Sequence, residues 1–382
     1  MDFALTEDER AIQETFARFA DQEIAPQAAA IDEAHEFPAA LFKKVGALGF
    51  FRMRYPESAG GLGLGFVPYC LAVEELARGS MPVAAACSMQ SLMATHFLHE
   101  LGNANIKERL FKPALDGDMI GAICMTEPNA GSDLHGMQTR AKAVAGGWAL
   151  TGQKMWVTSA PLADFFTVFA KAAASGENEE KITIFLVEKG AKGLHVGRAI
   201  EKMGVRPLVT SELAFDECFV PESQRLCAIG EGEKHLRKIL AQIRIMTGAL
   251  GLGIARAALD AAVQYSNERK QFGKPIGSFQ AIQMRLADMG TELEAARHLV
   301  RYAAWLVDQG KPHHKEAAMA KLFASEAAAA ICEHTSRIFA SYGFAMEYPA
   351  QRFLRDVRFL LIGGGTSEIL KLIIAKEVAG RG

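Results

Sequence analysis

Apolar residues along the first hundred positions recur at helical spacing. Ile12, Phe16, Phe19 and Ile24 fall on one face of a helix, with Thr6 as its N-cap and Glu9 three residues on. Pro26 ends that helix, and Phe37-Pro38 opens a short second one running to Gly46 or Gly49. After a loop by composition over 55–63, further helical patterns cover 68–78, 82–101 and 107–116. From Gly117 the period drops to two and β-branched and aromatic residues take over. Strands are predicted over 119–123, 148–152, 154–158, 165–170, 182–187 and 211–215, with a polar loop over 175–180. Long helical patterns return over 234–270, 278–309, 315–341 and 366–378, joined by short loops. The expected fold class is α+β, mainly α: a helical N-terminal domain (1–117), an antiparallel β middle domain (118–232) forming a small barrel or sandwich, and a C-terminal four-helix bundle (233–382).

Composition narrows the function by exclusion. The formal net charge of −2, with no basic block, removes the electrostatic footprint of a nucleic-acid binder. No apolar run is expected to span a bilayer, and the acidic N-terminus carries no cleavable leader, so a cytoplasmic protein is expected. Six scattered cysteines without a C-x-x-C pair fit reduced, buried thiols. The histidines show no metal-ligand spacing, so no metal is expected. Gly248, Gly251 and Gly253 lie inside a helical run with no strand before them, which reads as close helix packing rather than a dinucleotide fingerprint. Glu74, Glu75 and Arg78 read as an exposed charge cluster on a helix.

The chemistry is concentrated in Cys124–Asp133. Thr126 and Ser132 offer hydroxyl donors, Pro128 forces a turn and Gly131 lets backbone approach a ligand closely. Asp133 can hold the loop by accepting from nearby backbone N–H groups. A buried strand feeding such a loop makes either an anion or flavin cradle or an ordinary surface turn.

Other segments decide between these. Thr126-Glu127-Pro128 with Ala130-Gly131-Ser132-Asp133, then Gly152-Gln153-Lys154-Met155-Trp156-Val157-Thr158, then Glu268-Arg269-Lys270-Gln271-Phe272-Gly273 with Phe279-Gln280, then Arg355-Asp356 and Gly365-Thr366-Ser367-Glu368, occur in the order seen in the acyl-CoA dehydrogenase family. The chain resembles that family over nearly its full length. The resemblance implies an FAD enzyme that moves a hydride from the β-carbon of an acyl-CoA or acyl-carrier thioester to flavin N5, a place in fatty-acid metabolism, a homotetramer built as a dimer of dimers, and an electron-transfer flavoprotein as acceptor. It implies that Met125, Thr126 and Ser132 contact the flavin and its phosphates, and that Trp156 and Thr158 flank the ring. Arg269, Phe272 and Gln280 would hold the FAD of the partner subunit, with Thr366 and Glu368 completing the site. Arg244 and the Gly364 N–H would face the substrate.

The chain departs from that pattern where the chemistry is most demanding. The family's base is a glutamate at the position of Gly364, or an acid at the position of Ile243. Neither residue here is a carboxylate, and Ala241 replaces the acid expected near the pantetheine. Arg337 and Ala340-Ser341 replace the usual adenosine-contacting glutamine and glycine pair. A positioned base typically contributes 10²–10⁴-fold in rate. Three readings follow: a dehydrogenase with a base recruited elsewhere, Glu75 for instance; a flavoenzyme running chemistry that needs no such base, as in enoyl-CoA reduction or elimination; or a non-catalytic subunit of a heteromer.

Overall fold

The computed structural model describes residues 4–174 and 179–380. Of the polar loop expected over 175–180, residues 175–178 lie outside the described residues, as do Met1, Asp2 and Phe3 of the acidic N-terminus. The N-terminal domain is helical: α1 (Glu7–Phe19), α2 (Ala28–Ala34), α3 (Ala39–Ala47), α4 (Phe66–Gly79), α5 (Met81–Met89), α6 (His96–Leu101), α7 (Ala104–Ile106) and α8 (Lys112–Leu115). Thr6 and Glu9 form the expected reciprocal cap at the start of α1.

The middle domain is one seven-stranded sheet in the order β1-β4-β2-β3-β7-β6, with β5 on the other edge of β4. Its strands are β1 (Gly121–Cys124), β2 (Arg140–Val144), β3 (Gly147–Thr158), β4 (Phe165–Ala172), β5 (Lys181–Glu188), β6 (Leu194–Ala199) and β7 (Thr210–Pro221). The expectation of an antiparallel domain needs one correction: β1 and β2 both run parallel to β4, along successive parts of its edge. The two strands expected over 148–158 are one, β3, broken in register between Lys154 and Val157. That irregularity turns Trp156 outward with a positive φ of 59°.

The bundle comprises α9 (Gly232–Glu268), α10 (Gln280–Asp308), α11 (His314–Phe339), α12 (Pro349–Val357) and α13 (Ser367–Val378). Between α9 and α10 a hairpin of β8 (Lys270–Gln271) and β9 (Lys274–Pro275) turns at Phe272-Gly273, both at positive φ. The glycines of α9 serve packing as expected: a Cβ on Gly253 would lie 2.3 Å from Glu74 O in α4, and one on Gly251 would lie 3.1 Å from Ala324 O in α11. Contrary to expectation, one stretch of α9 is apolar and long enough to cross a membrane, but 72% of it is buried inside the protein. It is apolar because helices and strands enclose it on several sides.

The acidic cluster on α4 is also corrected. Glu74 and Glu75 are buried, not exposed. Glu74 accepts from Arg297 at 2.9 Å, and Glu75 pairs with Arg256 at 2.6 Å and Arg78 at 2.9 Å. Arg256 and Arg297 arrive from α9 and α10, 181 and 223 residues away, so helix spacing alone could not reveal them.

One junction ties all three domains. Arg355 of α12 pairs with buried Asp32 of α2 and donates to Met203 O, while Asp356 accepts from Val205 N at 2.6 Å. Arg355→Ala leaves Asp32 with only Arg206, 3.9 Å away. This change is expected to cost about 3 kcal/mol, as removal of one partner of a buried pair does. It should appear as a lower unfolding midpoint in thermal denaturation, with little change in turnover at low temperature.

Candidate active site

The loop after β1 is braced from beneath. Lys154, fully buried in β3, donates to Glu127 Oε1 at 2.7 Å and to Met125 O at 3.2 Å. Glu127 also accepts from the N–H groups of Gln138 and Thr139, at 2.6 and 3.0 Å. Burial would raise the Glu127 pKa, but the Lys154 ammonium and these donors hold it below the ordinary range. Met155 N–H donates to Thr126 O at 2.8 Å, fastening the loop to β3 beside Trp156. Asp133 accepts from His135 N–H as expected. The loop leaves open space: a Cβ on Gly131 would meet nothing nearer than Thr126 Cγ2 at 3.9 Å. Thr126 and Ser132 therefore flank open space.

Trp156 is 55% exposed, an unusual state for an indole at a domain junction. Thr158, two residues on, pairs with Thr210 of β7, and Ser159 N–H donates to Val209 O. The segment leading into β7 is the one that Asp356 grips at Val205. The end of β3 is thereby linked to the chain running into the Gly363–Gly365 turn.

A second group of expected cofactor residues lies at the far end of α9. Arg269 stacks over Tyr342 at 5.5 Å, Phe272 is 93% exposed at the hairpin tip, and Gln280 opens α10. Arg269 lies 25 residues beyond Arg244, about 37 Å along the helix axis. Met125 shares a cavity with Leu236 and Leu240 in the first turns of α9, so the loop group and the Arg269 group stand at opposite ends of one long helix.

The turn before α13 carries a third group of the expected site residues. Thr366 caps α13, its hydroxyl accepting from Ile369 N–H, and Glu368 in the first turn is exposed. Gly364 has φ +71°, and the three atoms nearest to a Cβ built there all belong to Thr247, at 3.0 to 3.9 Å. The N–H groups of Gly364 and Gly365 have no acceptor among the described residues. Lys321 of α11, fully buried, donates to Gly365 O at 2.6 Å. Burial pushes its pKa down to about 8, Glu326 opposing and the Arg244 charge adding to the drop. Arg244 is 6% exposed, and its Nε and Nη1 have no hydrogen-bond partner among the described residues. Burial lowers its pKa too.

A largely apolar cavity of about 120 Å³ lies between the loop after β1 and the first turns of α9. Met125, Leu134, Met137, Phe169, Leu236 and Leu240 line it. Leu240 lies one turn before Arg244 on the same face of α9.

None of the candidate positions named from the sequence offers a free carboxylate among the described residues. Ile243 is buried, Glu75 is committed to two arginines, and Glu326 accepts from Ser367 Oγ at 2.5 Å. Sequence reasoning overlooked the Glu127–Lys154 pair and Lys321. Only Lys321 carried a signal, a charge inside the apolar run Met319–Ala324.

The bare indole, the open loop and the exposed Phe272 fit a large planar cofactor with a phosphate-bearing tail. Comparison with known proteins agrees. Models of the acyl-CoA dehydrogenase N-terminal, middle and C-terminal domains match residues 6–118, 122–218 and 230–379. Benzylmalonyl-CoA dehydrogenase of Aromatoleum aromaticum is 67% identical over 380 residues, covering 99% of this chain and 100% of that one. The structure of butyryl-CoA dehydrogenase from Megasphaera elsdenii superposes with a TM-score of 0.94 at 36% identity, over 99% of this chain and 100% of that one. The FAD complex of PigA superposes at 0.94 and 32% identity, over the whole of both chains. The chain therefore belongs to the acyl-CoA dehydrogenase family, and it is an FAD-dependent oxidoreductase acting on the CH–CH bond of an acyl-CoA thioester.

Proposed function

We propose that this enzyme dehydrogenates an acyl-CoA already carboxylated at the α-carbon, a substituted malonyl thioester such as benzylmalonyl-CoA, and that loss of CO₂ replaces removal of the α-proton. The observation that carries the reading is Gly364, at the family's base position, where a side chain would meet only Thr247 and no carboxylate. The name of the 67% identical relative supports the same substrate class.

The chemistry balances without a base. The bond from the α-carbon to the carboxylate breaks, and its electron pair stays on the α-carbon. That pair becomes the new C=C bond as a hydride leaves the β-carbon, so the products are CO₂ and the α,β-unsaturated thioester, with no proton released. Bound FAD supplies the two-electron acceptor for the hydride. Met125, Thr126, Ser132, Trp156 and Thr158 would hold its ring end, Thr366 and Glu368 would close the site, and Arg269, Phe272 and Gln280 would hold the cofactor of a partner subunit. Their placement at opposite ends of α9 supports a homo-oligomer, which we take as a tetramer. The free Gly364 N–H would donate to the thioester carbonyl and stabilise negative charge developing there. Lys321 fixes that donor by holding Gly365 O. The apolar cavity would take the pantetheine arm and exclude water. An electron-transfer flavoprotein is the acceptor we propose, and the six free, buried cysteines support a cytoplasmic location.

The test is stoichiometric. Under anaerobic conditions benzylmalonyl-CoA should bleach the flavin with one CO₂ formed per flavin reduced, whereas 3-phenylpropionyl-CoA, which lacks the carboxylate, should react at least 10²-fold more slowly, the lower bound for an absent base. Equal bleaching by both thioesters, or reduction without CO₂, would end this reading.

A further inference from the structure

We infer that Arg244 is the residue that recognises the substrate's α-carboxylate, and that it selects α-carboxylated thioesters over simple ones. The inference rests on the decarboxylating reading above and adds to it the group that chooses the substrate.

A guanidinium carries five donors and stays charged. Burying one without an anion is costly, so buried arginines are ordinarily paired. Two other buried arginines follow this rule: Arg297 pairs with Glu74, and Arg355 with Asp32. Arg244, 6% exposed, pairs with no carboxylate among the described residues, and two of its nitrogens are buried without any partner. Its charged neighbours add to the deficit. Lys321 from α11 and His314 at the start of α11 both feel the Arg244 charge, and the acids that temper them, Glu326, Glu368 and Glu377, do not bond to Arg244. An anion from outside the chain would satisfy the site.

The geometry says where that anion sits. Arg244 and Thr247 share a face of α9, three residues apart, and Thr247 Oγ1 lies 3.0 Å from the place a Gly364 Cβ would occupy. Lys321, which holds Gly365 O at 2.6 Å, feels the Arg244 charge, so the guanidinium lies on the side of α9 that faces the Gly364–Gly365 turn. A carboxylate carried by the substrate's α-carbon fits beside this turn, on the side from which the α-substituent must depart. A planar carboxylate and a guanidinium pair through two parallel hydrogen bonds. Such a pair fixes the orientation of the carbon–carboxylate bond as well as its position. Thr247 cannot do this alone, since its hydroxyl donates to Ile243 O at 2.8 Å.

Arg244→Gln should raise KM for benzylmalonyl-CoA by roughly hundredfold, the usual consequence of removing one member of a buried charge pair. Because the ion pair exists before the bond breaks and is not strengthened by its breaking, kcat should fall much less than KM rises. The control ligand is cinnamoyl-CoA, the product without the carboxylate. Its Kd for the holoenzyme, read by titration calorimetry, should move by less than about threefold. Arg244→Lys keeps a charge without the fork, and should recover part of the lost KM while leaving the cinnamoyl-CoA Kd unchanged. An equal loss of affinity for both ligands in both variants would show that Arg244 holds the thioester or the scaffold, and would overturn the assignment. A KM for benzylmalonyl-CoA unchanged in Arg244→Gln would overturn it as well. If the wild type itself released no CO₂, the functional reading would fall first and the assignment with it.

Discussion

Gly364→Glu is expected to exchange one reaction for another. Activity on benzylmalonyl-CoA should drop at least hundredfold, and oxidation of 3-phenylpropionyl-CoA should rise by about 10²–10⁴-fold, the range for a positioned base. The loss has an electrostatic cause. Two carboxylates about 4 Å apart repel by roughly 4 kcal/mol in partly shielded protein surroundings, and Arg244 cannot pair fully with both. The gain follows because the remaining parts of the site, the Gly364 N–H and the apolar cavity, serve either substrate. Two local obstacles reduce the gain. The φ of +71° at position 364 costs a side-chain-bearing residue roughly 1–2 kcal/mol, and Thr247 Oγ1 must retreat from 3.0 Å. Combining the change with Thr247→Ala relieves the second obstacle. Ile243→Glu offers a carboxylate from the helical backbone without the first. Single-turnover flavin reduction with each thioester measures the exchange. If neither carboxylate yields oxidation of the simple thioester while benzylmalonyl-CoA activity persists, the α-substituent does not leave beside Gly364.

The sequence made some of this legible and hid the rest for physical reasons. Helices α9, α10 and α11 are long and strongly patterned, and their predicted extents match within a few residues. Strands β2 and β6 escaped because their outer positions are exposed and their apolar content is low: Arg140, Lys142, His195 and Arg198 all face solvent. The short α12 escaped because its nine residues include three charged ones, Arg352, Arg355 and Asp356. The loop carrying Thr126 and Ser132 was readable as a cradle because its small residues and turn formers are local. What holds it, a lysine 27 residues away, is non-local and sits in a strand whose alternation gave no reason to bury a charge. Arg244 was noted as a candidate. Its lack of a partner is a property of three dimensions only.

Glu127→Ala should strip the enzyme of its flavin. The carboxylate is the common acceptor for Lys154 Nζ and for the N–H groups of Gln138 and Thr139, so one side chain ties the loop after β1 to β3 and to the entry of β2. Without it, a fully buried ammonium keeps only Met125 O, at 3.2 Å. Breaking a buried pair from one side typically costs about 3–5 kcal/mol. Much of that cost would be relieved by letting the loop open and water reach Lys154, which displaces Met125, Thr126 and Ser132 together. The variant should therefore purify largely colourless and unfold at lower temperature, and added FAD should restore colour only at concentrations well above those the wild type needs. Removing the lysine as well separates charge from shape. Glu127→Ala with Lys154→Met has no stranded cation, and should recover most of the lost stability, with a coupling of about 3 kcal/mol in the double-mutant cycle. Acid should mimic the single variant. The Glu127 pKa is depressed in the folded state, so its contribution is complete above the ordinary carboxylate value of about 4.3 and is lost as pH falls through the folded value. Flavin release from the wild type should therefore begin only below about pH 4 on account of this group. Wild-type flavin content in Glu127→Ala would mean that the loop keeps its shape without the brace.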